Sequence, residues 1–328
     1  MGLLLLAGAA LILFDRERIL TALHQADWMV LPWAILFIIL AYALVSVSYV
    51  ILARIMGIRI KSGELAIIFF TTTVINRLVR SGGAAGYSLR YLMMKKHGVG
   101  MNDVLNSSFL HFLLGSMLML GLLPPGMIYL LVFTPIPPEV APSLIVLAVL
   151  GALLGFAAGS VVFSDRLRAR LARLAIWLVK KILRRDVSEA VEQFSSHAAQ
   201  AVAYLKQYPA RFLMVMLLIL AEMVANAIAL GFCMRTFGPG LSPGGVAAVY
   251  ILGTVAGVLT ALPGGAGVQE GTMIGLTVAQ GVGFEQSVLA AILFRIAQTF
   301  LPYLVSLPLY LHLLNTGDTS SESKNARI

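Results

Sequence analysis

Five long apolar segments constrain this chain more than any other feature of its sequence. They cover residues 28–53, 103–122, 142–163, 210–234 and 286–312. Charged residues make up only 12% of the chain, against about 25% in soluble domains, and cannot cover a water-facing surface. A helix of about 20 apolar residues crosses the hydrocarbon core of a bilayer. We therefore predict an all-α polytopic membrane protein with about six full spans, in one integral membrane domain over residues 1–315.

Three segments depart from this pattern. Residues 2–14 are apolar but short for a span, and they lack the basic start of a signal peptide. Residues 165–207 place leucines at helical spacing among many arginines and lysines. This predicts a basic amphipathic helical hairpin on the cytoplasmic side, either bound to anionic headgroups or simply setting the topology. Residues 316–328 are polar, and we predict a disordered tail.

Two further apolar segments are too short to cross the bilayer, and each runs into a glycine cluster. The first, 65–75, leads to Ser81-Gly82-Gly83-Ala84-Ala85-Gly86, and the second, 246–262, leads to Pro263-Gly264-Gly265-Ala266-Gly267. Short apolar pieces at 87–94 and 268–280 follow them. Irregular backbone at membrane depth is tolerated only where it is buried in protein or lines a cavity. We predict two re-entrant helical hairpins. Pro124-Pro125-Gly126 is likewise expected to break the span at 103–122, with residues 127–133 as a kinked continuation at most.

The two glycine clusters belong to an internal repeat. Each lies between half-length apolar pieces and is followed by a Gly-Val-Gly motif, at Gly98-Val99-Gly100 and Gly281-Val282-Gly283, and then by a full span. The motifs match at an offset of 182 to 183 residues. The shared order of these features indicates a repeat rather than chance.

The distribution of basic residues indicates that the two repeats are inverted. Of the 24 Lys and Arg residues, 20 lie in residues 54–61, 77–96, 166–211 and the tail. The positive-inside rule places these segments in the cytoplasm. The first hairpin then enters from the cytoplasm and the second from the opposite side, as in many transporters. We predict a multi-pass protein of the inner membrane with both termini cytoplasmic.

The motifs around the two clusters resemble a known family. Asn76-Arg77-Leu78 and the first cluster through Arg90, together with Pro263 to Glu270 and Arg295, resemble the flippase-like membrane domain of lysylphosphatidylglycerol synthases over about residues 1–315. Relatives often carry Arg before the acid, where this chain has Gln269. The resemblance implies lipid translocation or lipid handling. It does not imply lysyl transfer, because only a short tail follows residue 315.

Ionisable residues within the predicted membrane domain mark the candidate site, because such residues are costly in lipid and usually face a partner or a cavity. Glu270 lies in the first turn of a half-helix and is expected to pair with Arg295, either for substrate binding or only for packing. Arg77, Arg80 and Arg90 either collect a phosphate headgroup or simply obey the positive-inside rule. The predicted substrate-binding residues are Arg77, Arg80, Gly82, Gly83, Gly86, Arg90, Pro263, Gly264, Gly265, Gly267, Glu270 and Arg295.

Further polar residues lie in predicted spans. Glu222 and Asn226 are one helical turn apart, so that they either line the cavity or hold a helix contact. With Gln269 and Gln298 they complete the candidate cavity lining. His111 is expected to be a packed or hydrogen-bonded residue rather than a proton relay. One cysteine and five scattered histidines predict no metal site.

Lipid translocation is therefore the leading function, with membrane lipids, especially those with anionic headgroups, as partners. A secondary transporter of a small polar or anionic solute is the main alternative. A non-transporting partner of a lipid-synthesis or envelope-assembly system is the third. We expect no enzymatic activity, no cofactor and no nucleic acid, because the sequence contains no nucleophile–base set and no Walker motif. A second copy of the chain or a lipid-synthesis enzyme stays open as a protein partner.

Overall fold

The computed structural model describes residues 16–78, 84–135, 141–164, 207–259 and 267–310, with Gly265 and eight isolated residues between 166 and 203. The apolar run at 2–14, most of the hairpin at 165–207 and the tail at 316–328 lie outside these residues. Five predicted site residues also lie outside them: Arg80, Gly82, Gly83, Pro263 and Gly264. Arg77 belongs to a described helix, but its side chain is not among the described ones.

All secondary structure in the described ranges is helical. The first half contains α1 (Arg16–His24), a short turn (Trp28–Val30), α2 (Leu31–Ile55), α3 (Ser62–Leu78), α4 (Ala84–Lys95) and α5 (Met101–Phe133). The second half contains α6 (Ala141–Phe163), α7 (Pro209–Phe237), α8 (Pro243–Leu259), α9 (Val268–Ala279) and α10 (Phe284–Arg295). A π-helical turn, Ile296–Phe300, continues α10, and the last span runs on to Tyr310.

The predicted fold class is confirmed: the protein is an all-α polytopic membrane protein. Four of the described helical segments are long and apolar enough to cross a membrane: Trp28–Ile55, Met101–Phe133, Pro209–Phe237 and Phe284–Tyr310. They coincide with four of the predicted spans. The predicted span at 142–163 coincides with α6, which has 23 residues and packs against α5.

The predicted break at Pro124-Pro125-Gly126 is wrong, because α5 continues through both prolines to Phe133. Pro124 cannot donate to the carbonyl of Leu120, and α6 packs over that position. A Cβ placed on Gly155 would lie 3.6 Å from the Leu120 oxygen. On the other side, Met127 and its buried neighbours pack against α8. Tertiary packing on two sides therefore holds this segment together as one helix.

The two short helices of each predicted hairpin are antiparallel and closely packed. In the first hairpin, Gly86 of α4 faces Asn76 of α3, and Arg90 contacts Thr72 one turn farther from the loop. Contacts that move away from the loop on both helices together define an antiparallel pair. A Cβ on Gly86 would lie 2.7 Å from the Asn76 Cβ, so only glycine permits this approach.

The second hairpin is built in the same way, with the glycines on its first helix. Gly257 of α8 faces Gln269 of α9, and Gly253 faces Met273. Added Cβ atoms would lie 2.9 Å from the Gln269 Cβ and 2.5 Å from the Met273 Cγ. Helices of 17 and 12 residues form each hairpin. At 1.5 Å per residue they are about 26 and 18 Å long, less than the roughly 30 Å of a hydrocarbon core.

The order of elements repeats along the chain. In each half a long span (α2 or α7) contacts the 17-residue helix, which pairs with the 12-residue helix, which contacts the next span (α5 or α10). The two leading spans, α2 and α7, share the most extensive helix contact of the described structure. They form its centre, with buried residues from α2, α7, α8 and α10 in one apolar cluster.

We predict that Gly86→Ala lowers the free energy of unfolding by about 1–3 kcal/mol, because a methyl group there forces α3 and α4 apart. The measurement is a denaturant titration of the purified protein in detergent. Gly115→Ala in α5 is the matched control, since a Cβ at Gly115 meets nothing within 4 Å. Because alanine has a higher helix propensity than glycine, the free energy of unfolding of this control should be unchanged or up to about 1 kcal/mol higher. Equal effects of the two substitutions would contradict the packing argument.

Candidate functional site

Glu270 holds the start of the second half-helix. Gly267, the N-cap of α9, has a φ of 87°, a left-handed conformation that side chains rarely adopt. The Gly267 N–H donates to Glu270 Oε2 at 2.8 Å. One carboxylate oxygen therefore satisfies a backbone donor at the helix N-terminus, where the helix dipole also favours a negative charge.

The predicted pair of Glu270 and Arg295 is confirmed. Arg295 Nη1 lies 3.3 Å from Glu270 Oε1, with side-chain exposures of 12% and 6%. The same nitrogen donates to Gln269 Oε1 at 3.1 Å. A neutral acceptor suits position 269, since an arginine there would place two cations beside one carboxylate. The loop, α9 and the last span are thereby joined through a single buried acid.

A second buried polar row crosses between spans. Asn226 Nδ2 donates to Glu222 Oε1 at 2.7 Å and to the Glu222 carbonyl at 3.0 Å. Gln298 Nε2 donates to Asn226 Oδ1 at 2.9 Å. The row ends at Tyr42, whose hydroxyl donates to the Gln298 carbonyl at 2.9 Å. All four residues are buried. Glu222 and Asn226 thus hold a contact between α7 and the last span.

A proline in the last span leaves a backbone carbonyl free to join this row. Pro302 has no N–H, so that it cannot donate to the carbonyl of Gln298 four residues earlier. The Tyr42 hydroxyl supplies the missing donor. The π-helical turn at Ile296–Phe300 lies directly before it, and such turns are frequent at functional sites. Arg295 and Gln298 are three residues apart on this span, so the ion pair and the polar row adjoin.

Arg90 occupies a separate, almost fully buried cage at the first hairpin. Its Nε donates to Thr72 Oγ1 at 3.0 Å and its Nη1 to Ser108 Oγ at 2.8 Å. The guanidinium carbon lies 4.4 Å from the ring centre of Phe69 and 4.8 Å from that of Tyr49. Within the described part of the chain, no carboxylate comes within 4.0 Å of it. Hydroxyl oxygens and ring faces stabilise this cation in place of an acid.

The remaining predicted residues have packing roles, and the two charged sites do not contact each other. Gly86 makes the close contact inside the first hairpin, and Gly265 is buried with a φ of 62°. The His111 ring accepts or donates a 2.8 Å hydrogen bond with Ser48 Oγ and packs edge-on to Phe69, as expected of a packed residue. Arg90 does not contact the Glu270–Arg295 pair; the two belong to different hairpins.

Several residues of these networks were not predicted from sequence. They are Tyr42, Tyr49, Thr72, Ser108 and Thr73, which accepts from Arg90 Nη2 at 3.5 Å. Each is a hydroxyl-bearing residue inside an apolar helix. Their spacing carries a weak signal, because a hydroxyl in a span can also bond to its own helix, as Ser46 does to the Tyr42 carbonyl at 2.7 Å. Only the partner across the helix interface distinguishes the two uses.

We predict that Glu270 and Arg295 are thermodynamically coupled. Glu270→Gln and Arg295→Met should each lower the free energy of unfolding by about 3–5 kcal/mol, because each leaves a buried charge unpaired. The double variant should lose about 1–3 kcal/mol less than the sum. Unfolding titrations of the four proteins give the coupling energy. Additive losses would show that the pair is not a unit.

The exposed pair of Glu64 and His97 provides the control for that cycle. His97 Nε2 lies 3.0 Å from Glu64 Oε1, but the Glu64 and His97 side chains are 30% and 32% exposed. Glu64→Gln should cost no more than about 1 kcal/mol, as is usual for surface pairs.

We predict that Arg90→Lys destabilises the protein by about 2–3 kcal/mol, although charge is kept. An ammonium group cannot bond to hydroxyls on α3 and α5 in the same plane while it stacks on Phe69. Arg59→Lys, at an exposed position before α3, is the matched control and should change stability by less than about 0.5 kcal/mol. The midpoint of thermal unfolding in detergent measures both. An unchanged midpoint for Arg90→Lys would show that the Arg90 guanidinium does not stabilise the fold through these contacts.

Comparison with known proteins agrees with the membrane fold. The family model described as the lysylphosphatidylglycerol synthase TM region matches residues 1–306. This range includes both hairpins, the Glu270–Arg295 pair and the polar row. No curated protein matches the chain. Membership indicates a membrane protein involved in lipid handling. The chain belongs to the family of the lysylphosphatidylglycerol synthase transmembrane region.

Proposed function

We propose that this protein is a flippase-like translocator, which moves a lipid with a polar headgroup between the two leaflets. The observation that carries the proposal is the buried polar row from Glu222 to Tyr42, which ends beside a groove that opens to the lipid-facing surface. A translocated lipid needs a polar path for its headgroup and an apolar path for its tails. These two surfaces meet at Tyr42.

The groove lies between α2, α3 and the last span. It has a volume of about 460 Å³, which falls within the usual range of roughly 300–1,000 Å³ for ligand sites. Its lining is apolar apart from the tyrosine and one serine: Ile35, Ile38, Ile39, Tyr42, Ala43, Ser46, Ala66, Ile67, Phe70, Leu301, Pro302 and Val305. Ile39 and Val305 are at least half exposed, so an acyl chain has lateral access from the bilayer.

Electrostatics favour an anionic headgroup. Arg90, Arg295 and, by sequence, Arg77 and Arg80 put cations in or next to the two hairpins, against the acids Glu222 and Glu270. Arg binds phosphate through two parallel N–H donors. In the proposed cycle the headgroup binds to Arg295 and to Gln269 in place of the hydrogen bond between them. Glu270 meanwhile keeps its bond to the Gly267 N–H. The chain acts on lipid by transport and not by catalysis.

The proposal includes an inverted arrangement of the two halves in the inner membrane, with both termini in the cytoplasm. The repeated order of span, 17-residue helix, 12-residue helix and span supports a repeat. The opposite orientation rests on the basic residues, which concentrate in alternate gaps of the sequence. An inverted repeat lets the two hairpins approach each other from opposite leaflets.

We predict that purified protein in vesicles exchanges labelled phospholipids between leaflets, and that Ala43→Phe slows this exchange about tenfold, or ~1.4 kcal/mol of barrier. Ala43 lines the groove and is exposed, so a phenyl group blocks the tail path. Val47→Phe, one turn along α2 and exposed on its surface, is the matched control and should exchange at the wild-type rate. Glu270→Gln should also slow exchange.

Three outcomes separate the candidate functions. Headgroup-selective exchange that Ala43→Phe slows and Val47→Phe does not supports lipid translocation. Uptake of a small anionic solute that is insensitive to Ala43→Phe would replace it with solute transport. Folded protein that moves neither class of molecule would indicate a partner role in lipid synthesis or envelope assembly.

A further inference from the structure

A second apolar groove lies on the surface between α7 and α8. Its volume is about 390 Å³. It is lined by Val224, Ala227, Ile228, Gly231, Phe232, Arg235, Leu241, Pro243, Val246 and Ala247. Among these lining residues, Arg235 alone is charged. The groove shares no residue with the one at Tyr42, and neither the ion pair nor the polar row enters it.

The groove follows α7 from the middle of its span to its end. Its α7 residues recur every three or four positions from Val224 to Arg235, which form one face of the helix. At 1.5 Å per residue this face is about 16 Å long. The α8 side begins with Leu241 and Pro243, next to the start of that helix. The long axis of the groove therefore runs along the spans.

An exposed cation, Arg235, stands at the end of this groove. It lies in the last turn of α7 and is exposed. Its methylene stem packs on the turn after the helix, where a Cβ on Gly240 would lie 2.7 Å from the Arg235 Cγ. In the described ranges, no carboxylate lies within 4.0 Å of its guanidinium. The stem of the side chain is thus positioned by packing, while the residue as a whole stays exposed.

Two tryptophans place this end of α7 at the level of the lipid headgroups. Trp28 packs edge-on to Phe237 with ring centres 5.8 Å apart, and Trp33 stacks near Phe232 at 6.4 Å. Both tryptophans are about half exposed. Tryptophan is enriched at membrane–water interfaces, where its ring is apolar and its N–H is wet. The mouth of the groove is therefore at the interface, and its far end is in the hydrocarbon core.

We propose that this groove binds one anionic phospholipid, with an acyl chain along α7 and the phosphate on Arg235. The apolar lining matches an acyl chain, and the cation at its end matches an anionic headgroup. A phosphate oxygen accepts two parallel bonds from a guanidinium, which gives selectivity for charge. This site is distinct from the proposed translocation path and does not rest on the proposed function.

The test is native mass spectrometry of the full-length purified protein in detergent, titrated with dioleoyl phosphatidylglycerol or dioleoyl phosphatidylcholine. We expect the first phosphatidylglycerol to bind more tightly than the first phosphatidylcholine. Arg235→Gln should weaken phosphatidylglycerol binding about tenfold and leave phosphatidylcholine unchanged. Arg235→Lys should retain most of the preference, because the charge is kept. Ala247→Phe, which fills the groove, should weaken both lipids.

Two control variants match these changes away from the groove. Arg211→Gln removes an exposed arginine at the opposite end of α7, and Ala152→Phe adds the same bulk to the exposed face of α6. Both should bind each lipid as the wild type does. If Arg235→Gln does not fold, Gly240→Ala provides a second variant, since it displaces the Arg235 stem while the charge stays.

Three results would overturn the proposal. One is equal affinity of the wild-type protein for the two lipids. Another is unchanged phosphatidylglycerol binding in both Arg235→Gln and Ala247→Phe. The last is a dimer that Ala247→Phe dissociates while lipid binding stays the same, which would assign the groove to a second copy of the chain.

Discussion

The contact between Glu270 and the start of α9 is the interaction on which the second half of the molecule depends. A half-length helix inside a membrane leaves N–H donors that neither water nor lipid can satisfy. Glu270 accepts one of these donors from Gly267 and, with its other oxygen, faces Arg295 of the last span. One side chain therefore closes a helix end, neutralises a buried cation and joins the hairpin to the bundle. Few residues other than an acid could serve all three purposes.

The first hairpin is joined to its neighbours by a cation instead, because Arg90 of α4 donates to Thr72 of α3 and to Ser108 of α5. Arg90 has no described carboxylate partner and is held by hydroxyls and aromatic faces. Among the described residues, hydroxyl dipoles and ring quadrupoles are what compensate this positive charge. The two hairpins are thus alike in their helix lengths and glycine contacts, but different in their electrostatics. In the proposed translocator, the charge of Arg90 attracts an anionic headgroup to the first hairpin. The acid of the second hairpin, Glu270, is already paired with Arg295.

Glycine and proline act here through the close contacts and free carbonyls that they create. Gly86, Gly253 and Gly257 bring helix backbones together inside the hairpins. Pro302 releases a carbonyl that Tyr42 then uses. Pro124 releases another, yet the helix continues, because α6 and α8 pack against it on two sides. Proline thus adjoins a buried polar row in one span and is only a tolerated irregularity in another.

The sequence by itself determined the membrane environment, the all-helical class, the two hairpins, and the pairing of Glu270 with Arg295. These features follow from local properties: the length of an apolar run, a glycine cluster within it, and the cost of a lone charge in lipid. The placement of Arg90 in a cage, the row from Glu222 to Tyr42 and the two grooves were decided only by the tertiary structure. Tyr42 and Gln298 are 256 residues apart, and many apolar helix faces in this chain could pack against one another. Which faces meet is set by the fit of whole spans, and no local pattern encodes it.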